Sequence, residues 1–197
     1  MLVLSGAPAL SKFRLQKLLA ECQQQNPAVK GLYAEFAHFV NVEHPLDAQE
    51  METLNNILIY GPKNSQQKIQ GQSCLVVPRP GTISPWSSKA TDIAHNCGLS
   101  KIQRIERGVI YVVAGIDNSQ LNELTHLFHD RMTQAVLVNT EQASILFQVQ
   151  QPKPLVLVDT LTQGKEALVK ANKNLGLALA DDEIDYLFAR FTELKRN

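Results

Sequence analysis

The sequence has no excess charge of either sign, because 19 lysines and arginines balance 19 aspartates and glutamates. A protein that binds nucleic acid through its phosphates needs a surplus of basic residues to displace counterions. Hydrophobic residues make up 44% of the chain and charged residues 19%, which is typical of a folded globular protein. We therefore expect no nucleic-acid partner and no extensive disorder.

Cysteine is scarce, and Cys22, Cys74 and Cys97 lie far apart in the sequence. Without a CxxC spacing, the sequence predicts neither a disulfide framework nor a thiolate zinc site. The longest apolar run, Val109 to Ala114, is far short of the ~20 residues that a membrane span needs. The opening segment also lacks the features of a signal peptide. We expect a cytoplasmic protein with no membrane partner.

Local motifs for catalysis or nucleotide binding are absent: the sequence has no Gly-rich phosphate loop, no GxGxxG and no GxSxG. His126 and His129 lie three residues apart beside Asp130, but no third metal ligand follows at a matching spacing. His95 would have to come close from another predicted helix to complete such a site. We therefore expect both histidines to be solvated or hydrogen-bonded at a helix end, and we predict no metal, bound cofactor or catalytic residue in this chain.

What the sequence does contain is a regular alternation of strand and helix patterns, which predicts an α/β (α+β) fold. Asp47 with Glu50, and Asp117 with Gln120, have the spacing of capping boxes that open helices. Ser84 is a predicted N-cap, since a proline follows it at the first helical position. The predicted strands are Leu2–Leu4, Tyr33–Val42, Leu75–Val77 and Ile105–Ala114.

The order strand–helix–strand–helix occurs twice, and two pairs of segments are similar in sequence. They are Pro8-x-x-Ser11-Lys12 with Pro85-x-x-Ser88-Lys89, and Asp47–Leu58 with Asp117–Phe128. We interpret residues 1–150 as a duplicated unit with pseudo-twofold symmetry. A single copy would expose a sheet edge and an apolar face, whereas two copies would bury both. The alternative is chance similarity between short α/β segments.

The segment Gln150-Gln151-Pro152-Lys153-Pro154 indicates a boundary between two domains. Beyond it we predict a short strand, Leu155–Val158, and two amphipathic helices. The apolar stripe from Ile184 to Leu194 would have little to cover if the chain stopped here. We therefore expect residues 151–197 to be the start of a small helical linker domain that continues past Asn197.

The loop between the third strand and the third helix is the richest part of the chain in groups that bind anions. Arginine can bind phosphate or carboxylate through two hydrogen bonds, and a helix N-terminus favours an anion. The alternative is a capped helix whose prolines only stiffen the connection. We predict that this region faces an anion or a substrate cleft through the following residues: Arg79, Gly81, Thr82, Ser84, Ser87, Ser88 and Lys89.

Two further residues of the third helix lie on its predicted apolar face. Trp86 is the only tryptophan of the sequence, and we expect it to pack in the core or in an interface. We expect Cys97 to be a small buried hydrophobic residue.

The segment Pro78–Ala94, PRPGTISPWSSKATDIA, resembles the N-terminal part of the large single-chain phosphoribosylformylglycinamidine synthase family. Shorter segments resemble the same family in the same order: Tyr33–Glu35, His129–Met132, Gly176–Leu179 and Asp182–Tyr186. The resemblance implies that residues 1–150 are similar to a fused dimer of the small subunit of multi-subunit synthases. It also implies that residues 151–197 begin the linker domain.

The resemblance implies a part in the ATP- and glutamine-dependent conversion of formylglycinamide ribonucleotide to the amidine, a step of purine (IMP) biosynthesis. For the whole enzyme, a C–N ligase and glutamine amidotransferase, it implies ATP and Mg²⁺. The implied partners are the synthetase and glutaminase domains of the same chain, and their catalytic residues should lie beyond Asn197. Residues 1–197 would then be a scaffold without activity of their own. Two alternatives are a stand-alone dimerising interaction module and a small phosphate-binding enzyme that uses the Arg79 loop.

Overall fold

The computed structural model of the protein describes residues 1–61, 67–148 and 154–197. The chain divides into two compact units, Met1–Gln150 and Gln151–Asn197. Most of the predicted boundary segment, residues 150–153, lies outside the described residues. Each unit is considered by itself below.

The first unit is built on a five-stranded antiparallel sheet with the order β1-β2-β4-β3-β5. Its strands are β1 (Leu2–Pro8), β2 (Gly31–Val42), β3 (Gln72–Pro78), β4 (Ile102–Ala114) and β5 (Gln134–Leu137). Helices α1 (Lys12–Gln25), α2 (Ala48–Ile57), α3 (Pro85–Asn96) and α4 (Asn118–Leu124) alternate with the first four strands. The predicted α+β fold is therefore confirmed.

The predicted helix starts are confirmed in detail. Asp47 with Glu50 opens α2 through a capping box, and Asp117 with Gln120 opens α4 in the same way. The α4 helix is shorter than the predicted Asp117–Phe128, because the chain tightens into a 3₁₀ turn after Leu124. There the Thr125 hydroxyl donates to the Asn122 carbonyl, which competes with a regular α-helical bond.

The long strands β2 and β4 form the centre of the sheet, with Ala37 opposite Gly108. The strand β1 pairs with the outer side of β2, and β3 pairs with the outer side of β4. This is the strand order that two copies of one unit would give, while the duplication itself stays a prediction.

The register of the proposed sequence match needs correction. Pro8 is the last residue of β1, as Pro78 is of β3, whereas Pro85 is the first residue of α3. Likewise Ser11 caps α1 as Ser84 caps α3. The proposed match of Pro8 with Pro85 is therefore wrong, because it pairs a strand end with a helix start.

The helices cover one face of the sheet through two separate clusters of buried side chains. One cluster contains Leu32, Ala34 and Tyr111, and the other contains Val40 and Ile105. Because side chains alternate between the faces of a strand, Phe36, His38 and Arg107 lie on the same face between the two clusters. We call the surface formed by these three residues, together with Tyr60 and Trp86 that contact them, the seam.

The opposite face of the sheet has its own core. Phe39, Leu75 and Val77 are buried there against Ala143 and Leu146, which belong to a 3₁₀ segment, Glu141–Phe147. The sheet is therefore enclosed by α-helices on one face and, in part, by this short segment on the other.

The end of α3 departs from the sequence prediction. Trp86 is half-buried and packs against a core cluster, as expected. Cys97, expected to be buried, is exposed. It is the C-cap residue of α3, and Gly98 follows it with a φ of +87°. The chain turns back towards the sheet there, so Leu99 takes the buried position instead.

The second unit contains α5 (Thr160–Gln163), α6 (Lys165–Leu175) and α7 (Asp181–Leu194). The two predicted long helices are therefore present, and Leu168 and Ile184 are buried within this unit. The predicted strand Leu155–Val158 is wrong: these residues form no strand and Leu155–Leu157 are exposed. A strand needs a partner to satisfy its backbone groups, and the four-residue apolar pattern could not reveal that none is provided.

No α-helix within the described ranges is both long enough and apolar enough to cross a membrane.

Candidate functional site

A groove of about 420 Å³ lies at the end of β3. We call it the Arg79 groove. It is lined by Pro78, Arg79, Thr82, Ile83, Ser84, Pro85, Met132, Thr133 and Gln134. It therefore gathers three of the sequence-predicted site residues, Arg79, Thr82 and Ser84.

A tight turn over residues 79–82 shapes one wall of this groove. The backbone N–H of Thr82 donates to the Arg79 carbonyl at 3.2 Å, and its hydroxyl donates to the same oxygen at 2.6 Å. Pro80 and Gly81 occupy the two central positions, and the φ of Gly81 is +84°, as in a type II turn. The Arg79 N–H donates to the Thr133 carbonyl at 2.9 Å, which fixes the turn to the segment entering β5.

Arg79 carries the positive charge of the groove. Its side chain is exposed, and none of the ion pairs among residues 1–61, 67–148 and 154–197 involves it. The rim is apolar, since Ile83 is 61% and Met132 is 77% exposed. The groove thus combines an unpaired guanidinium with apolar walls, which suits an anionic ligand that also has an uncharged part.

A carboxylate of the same chain binds Ser84, the N-cap residue of α3. Glu106, on the central strand β4, is completely buried. Its two carboxylate oxygens accept from the Ser84 N–H at 3.2 Å and from the Ser84 hydroxyl at 2.9 Å. Ser84 Oγ in turn accepts from the Ser87 N–H at 3.0 Å. Ser84 lines the groove, but these internal bonds use its hydrogen-bonding groups, so anion binding in the groove depends on Arg79.

The other predicted site residues are dispersed. Gly81 lies in the exposed turn and Ser88 on the exposed side of α3. Ser87 is completely buried, and its Oγ has no hydrogen-bond partner among the described residues. Lys89 is exposed but lines a different hollow, of about 110 Å³. We therefore restrict the candidate site to the turn and to the groove below it.

Glu106 is a residue that sequence reasoning missed. The available signal was the pair Arg104 and Glu106, two charged residues at alternate positions of the strand, which places both on the same face. The Arg104 guanidinium lies 3.5 Å from the Glu106 carboxylate and also donates to the Leu146 carbonyl at 2.5 Å. A buried charge is stable only with such partners, so the pair indicated a buried polar contact on that face.

The seam contains a second group of polar side chains that the sequence analysis did not identify. The Arg107 guanidinium carbon lies 4.3 Å from the ring centre of Phe36 and 4.7 Å from that of Trp86. Arg107 Nη1 donates to the Tyr60 hydroxyl at 3.4 Å, and this hydroxyl lies 2.5 Å from His38 Nε2. The seam thus joins a cation, a phenol and an imidazole over aromatic rings.

The imidazole of His38 is neutral at pH 7. Its burial, followed by the positive charge of Arg107, lowers the pKa of His38 to about 4, against a smaller opposite effect from the Leu4 backbone. Burial also raises the pKa of Tyr60. A neutral His38 can accept from the Tyr60 hydroxyl through Nε2, which leaves the Tyr60 oxygen free to accept from Arg107.

Two of the thiols and two of the histidines lie in environments that do not favour catalysis or metal binding. Burial raises the pKa of Cys22 to about 11 and that of Cys74 to about 12, so neither is a thiolate at neutral pH. The Nδ1 atoms of His126 and His129 lie 2.8 and 2.7 Å from backbone carbonyl oxygens of the preceding turn. Within the described residues, no group of three or more metal-binding side chains comes together.

A family model described as formylglycinamide ribonucleotide amidotransferase N-terminal matches residues 35–147. The match covers more than half of the chain and runs from β2 to the 3₁₀ segment Glu141–Phe147. It therefore includes the Arg79 groove, Glu106 and Arg107. The resemblance based on Pro78–Ala94 is confirmed, and the chain belongs to this family, that of the N-terminal part of an amidotransferase of purine biosynthesis.

Proposed function

We propose that the chain is the N-terminal scaffold and interface part of phosphoribosylformylglycinamidine synthase, the ATP- and glutamine-dependent ligase that converts formylglycinamide ribonucleotide to the amidine. In this proposal ATP and Mg²⁺ act in the synthetase domain of the same protein, and a glutaminase domain supplies ammonia. Residues 1–197 bind none of these cofactors and contribute no catalytic group. The expected location is the cytoplasm, where the free thiols of Cys22, Cys74 and Cys97 would stay reduced.

The sheet supports a scaffold role. In the sheet, β1 pairs with β2 and β3 pairs with β4, and these two pairs meet where β2 lies beside β4. We interpret this arrangement as two copies of one unit that enclose each other's apolar faces. Glu106, which is completely buried, and Arg104, which is half-buried, bind other parts of the same unit. They stabilise the fold and are not available to a substrate.

We further propose that the Arg79 groove faces the substrate cleft formed with the synthetase domain. The observation that carries this proposal is the exposed, unpaired guanidinium of Arg79 on a turn that hydrogen bonds hold at both ends. An arginine can bind a phosphate through two parallel hydrogen bonds, and the turn fixes the backbone from which this side chain extends. Formylglycinamide ribonucleotide offers such a phosphate next to an uncharged sugar, which fits the apolar rim.

Protection from chemical labelling tests this placement in the complete synthase. Met132 lies on the rim of the groove and is 77% exposed. We expect a maleimide to label Met132→Cys, in a Cys97→Ser background, more slowly when formylglycinamide ribonucleotide is present and glutamine is omitted. Phe13→Cys is the matched control, because Phe13 is 76% exposed on α1, outside the groove. Equal labelling rates of Met132→Cys with and without the ribonucleotide would contradict the proposal that the groove faces the substrate cleft.

The alternative of a small phosphate-binding enzyme makes a different prediction for the isolated 197-residue chain. If the synthetase domain supplies most contacts to the ribonucleotide, calorimetry should show no binding to this chain tighter than about 1 mM. With ribonucleotide, glutamine, ATP and Mg²⁺ together, the chain should form no amidine. Turnover by the isolated chain would favour the enzyme alternative.

A further inference from the structure

The seam contains a half-buried positive charge without a negative partner. Arg107 lies on the central strand β4, opposite His38 on β2. None of the ion pairs formed by the described parts of the chain includes Arg107. The nearest carboxylate in sequence, Glu106, projects from the opposite face of the strand and binds Ser84. No carboxylate among the described residues of the unit therefore neutralises the charge of Arg107.

Aromatic rings hold the Arg107 guanidinium in place. Its central carbon lies 4.3 Å from the centre of the Phe36 ring, 4.7 Å from that of Trp86 and 5.6 Å from that of Tyr60. Contacts of this kind stabilise a cation over the faces of the rings but use none of its N–H groups. A planar guanidinium fixed in this way needs little further ordering before it binds a ligand.

Most of the hydrogen-bonding capacity of Arg107 is unused. A guanidinium carries five N–H donors, and the described residues offer one acceptor, the Tyr60 hydroxyl at 3.4 Å. His38 cannot compensate this charge, because an imidazole is either neutral or positive, and its lowered pKa keeps it neutral at pH 7. Tyr60 lines two surface hollows, of about 280 and 110 Å³, and Trp86 and Lys89 line the smaller one. Two aromatic residues of the seam therefore face open space, and a second cation lies beside one of the hollows.

We propose that Arg107 binds an oxyanion, a phosphate or a carboxylate group, at the seam. Both groups match the two parallel N–H donors of a guanidinium, and either would supply the negative charge that the seam lacks. Lys89, at the rim of the smaller hollow, would attract the anion without being required for the contact. This site is separate from the Arg79 groove and does not depend on the role proposed for that groove.

Trp86 provides a direct reading of this site, because it is the only tryptophan of the chain and contacts Arg107. We would titrate the 197-residue protein with sodium phosphate, and separately with sodium acetate, at pH 7.5 and constant ionic strength, and record the Trp86 fluorescence. A saturable change with either anion is expected, and the two titrations distinguish phosphate from carboxylate. No saturable change with either anion would overturn the proposal.

Variants of Arg107 show whether the change arises at the proposed site. Arg107→Gln should raise the half-saturating anion concentration by at least about tenfold, because a hydrogen bond to a charged group is lost. Arg107→Lys keeps the charge but loses the paired donors, and it should raise the midpoint severalfold in a protein whose circular dichroism is native. Arg14→Gln, which removes an exposed arginine of α1, is the matched control and should leave the midpoint unchanged.

Two results would overturn the proposal even if the wild-type protein responds. One is an unchanged midpoint in both folded Arg107 variants, and the other is an equal shift in Arg14→Gln. If Arg107→Gln does not fold, the comparison of Arg107→Lys with the wild type decides. Labelling at Met132→Cys tests the Arg79 groove, and the anion titrations test the Arg107 site. The failure of one proposal therefore does not decide the other.

Discussion

The buried carboxylate of Glu106 binds both the backbone N–H and the hydroxyl of Ser84, at 3.2 and 2.9 Å. Glu106 lies on the central strand, and Ser84 caps the helix that follows the Arg79 turn. This one contact therefore fixes the far end of the loop that carries Arg79 to the most buried part of the sheet. The position of the groove depends on it.

Removal of the Glu106 carboxylate should destabilise the first unit strongly. In Glu106→Ala, the Ser84 hydroxyl and the Arg104 guanidinium lose their buried partner, and breaking such a set costs about 3–5 kcal/mol. Glu106→Gln should cost less, since its amide oxygen can still accept one of the bonds. Urea unfolding measures both changes.

The matched control for this prediction is Glu43→Ala, because Glu43 is exposed. An exposed substitution of this kind should change the free energy of unfolding by less than about 0.5 kcal/mol. Equal stability of Glu106→Ala and Glu43→Ala would show that the buried contact does not hold the loop.

The Arg79 turn should depend on the glycine at its third position. The φ of Gly81 is +84°, and a side chain in this left-handed region costs about 1–2 kcal/mol. We expect Gly81→Ala to lower the free energy of unfolding by this amount and to speed hydrogen exchange at the Thr82 amide, which closes the turn. Gly81→Asn should be milder, since asparagine tolerates a positive φ better than alanine. An equal effect of both substitutions would argue against strain at Gly81.

Features that depend on neighbours in sequence were predictable, and features that depend on distant contacts were not. The capping boxes at Asp47 and Asp117 involve residues only three positions apart, so their spacing revealed them. The bond between Ser84 and Glu106 joins the N-cap of α3 to the interior of β4, and periodicity cannot bring these two places together. The exposure of Cys97 is different, because its cause is local: Cys97 ends α3, and the chain turns at the adjacent Gly98.

The Arg79 loop itself shows the same division. Ser84 followed by Pro85 predicted a helix start, which the structure contains, whereas the turn over residues 79–82 was not predicted. The second wall of the groove comes from Met132–Gln134, next to a four-residue strand too short to give a clear alternating pattern. The loop residues that line the Arg79 groove could therefore be identified only from the tertiary structure.

The stability of the first unit should fall in mild acid because of His38. The pKa of His38 is about 4 in the folded protein and 6.5 ordinarily, so between these values only the unfolded chain binds the proton. Stability is then complete above pH 6.5 and decreases as the pH falls towards 4. We expect a loss of about 2 kcal/mol between pH 7.5 and 5.0, measured by urea unfolding at each pH.

A variant without this titration isolates the contribution of His38. His38→Gln should lose that part of the pH dependence, whereas His126→Gln, which removes an exposed imidazole, should keep it. The same decrease in wild type and in His38→Gln would assign the acid sensitivity to other groups.

The three thiols should react at very different rates. Cys97 is exposed, while Cys22 and Cys74 are buried with raised pKa values. A disulfide reagent at pH 8 should therefore label one thiol rapidly in the native protein, and Cys97→Ser should abolish this fast phase. A fast phase that persists in Cys97→Ser would contradict the burial of the other two.

The apparent KM for formylglycinamide ribonucleotide in the complete synthase is the most direct measure of a substrate-facing Arg79. Loss of a charged hydrogen bond should raise this KM about tenfold or more in Arg79→Gln, with kcat nearly unchanged if the contact is equal in the ground and transition states. Arg14→Gln, which removes an exposed arginine of α1, should leave KM unchanged. A folded Arg79→Gln enzyme with the wild-type KM would contradict the proposal.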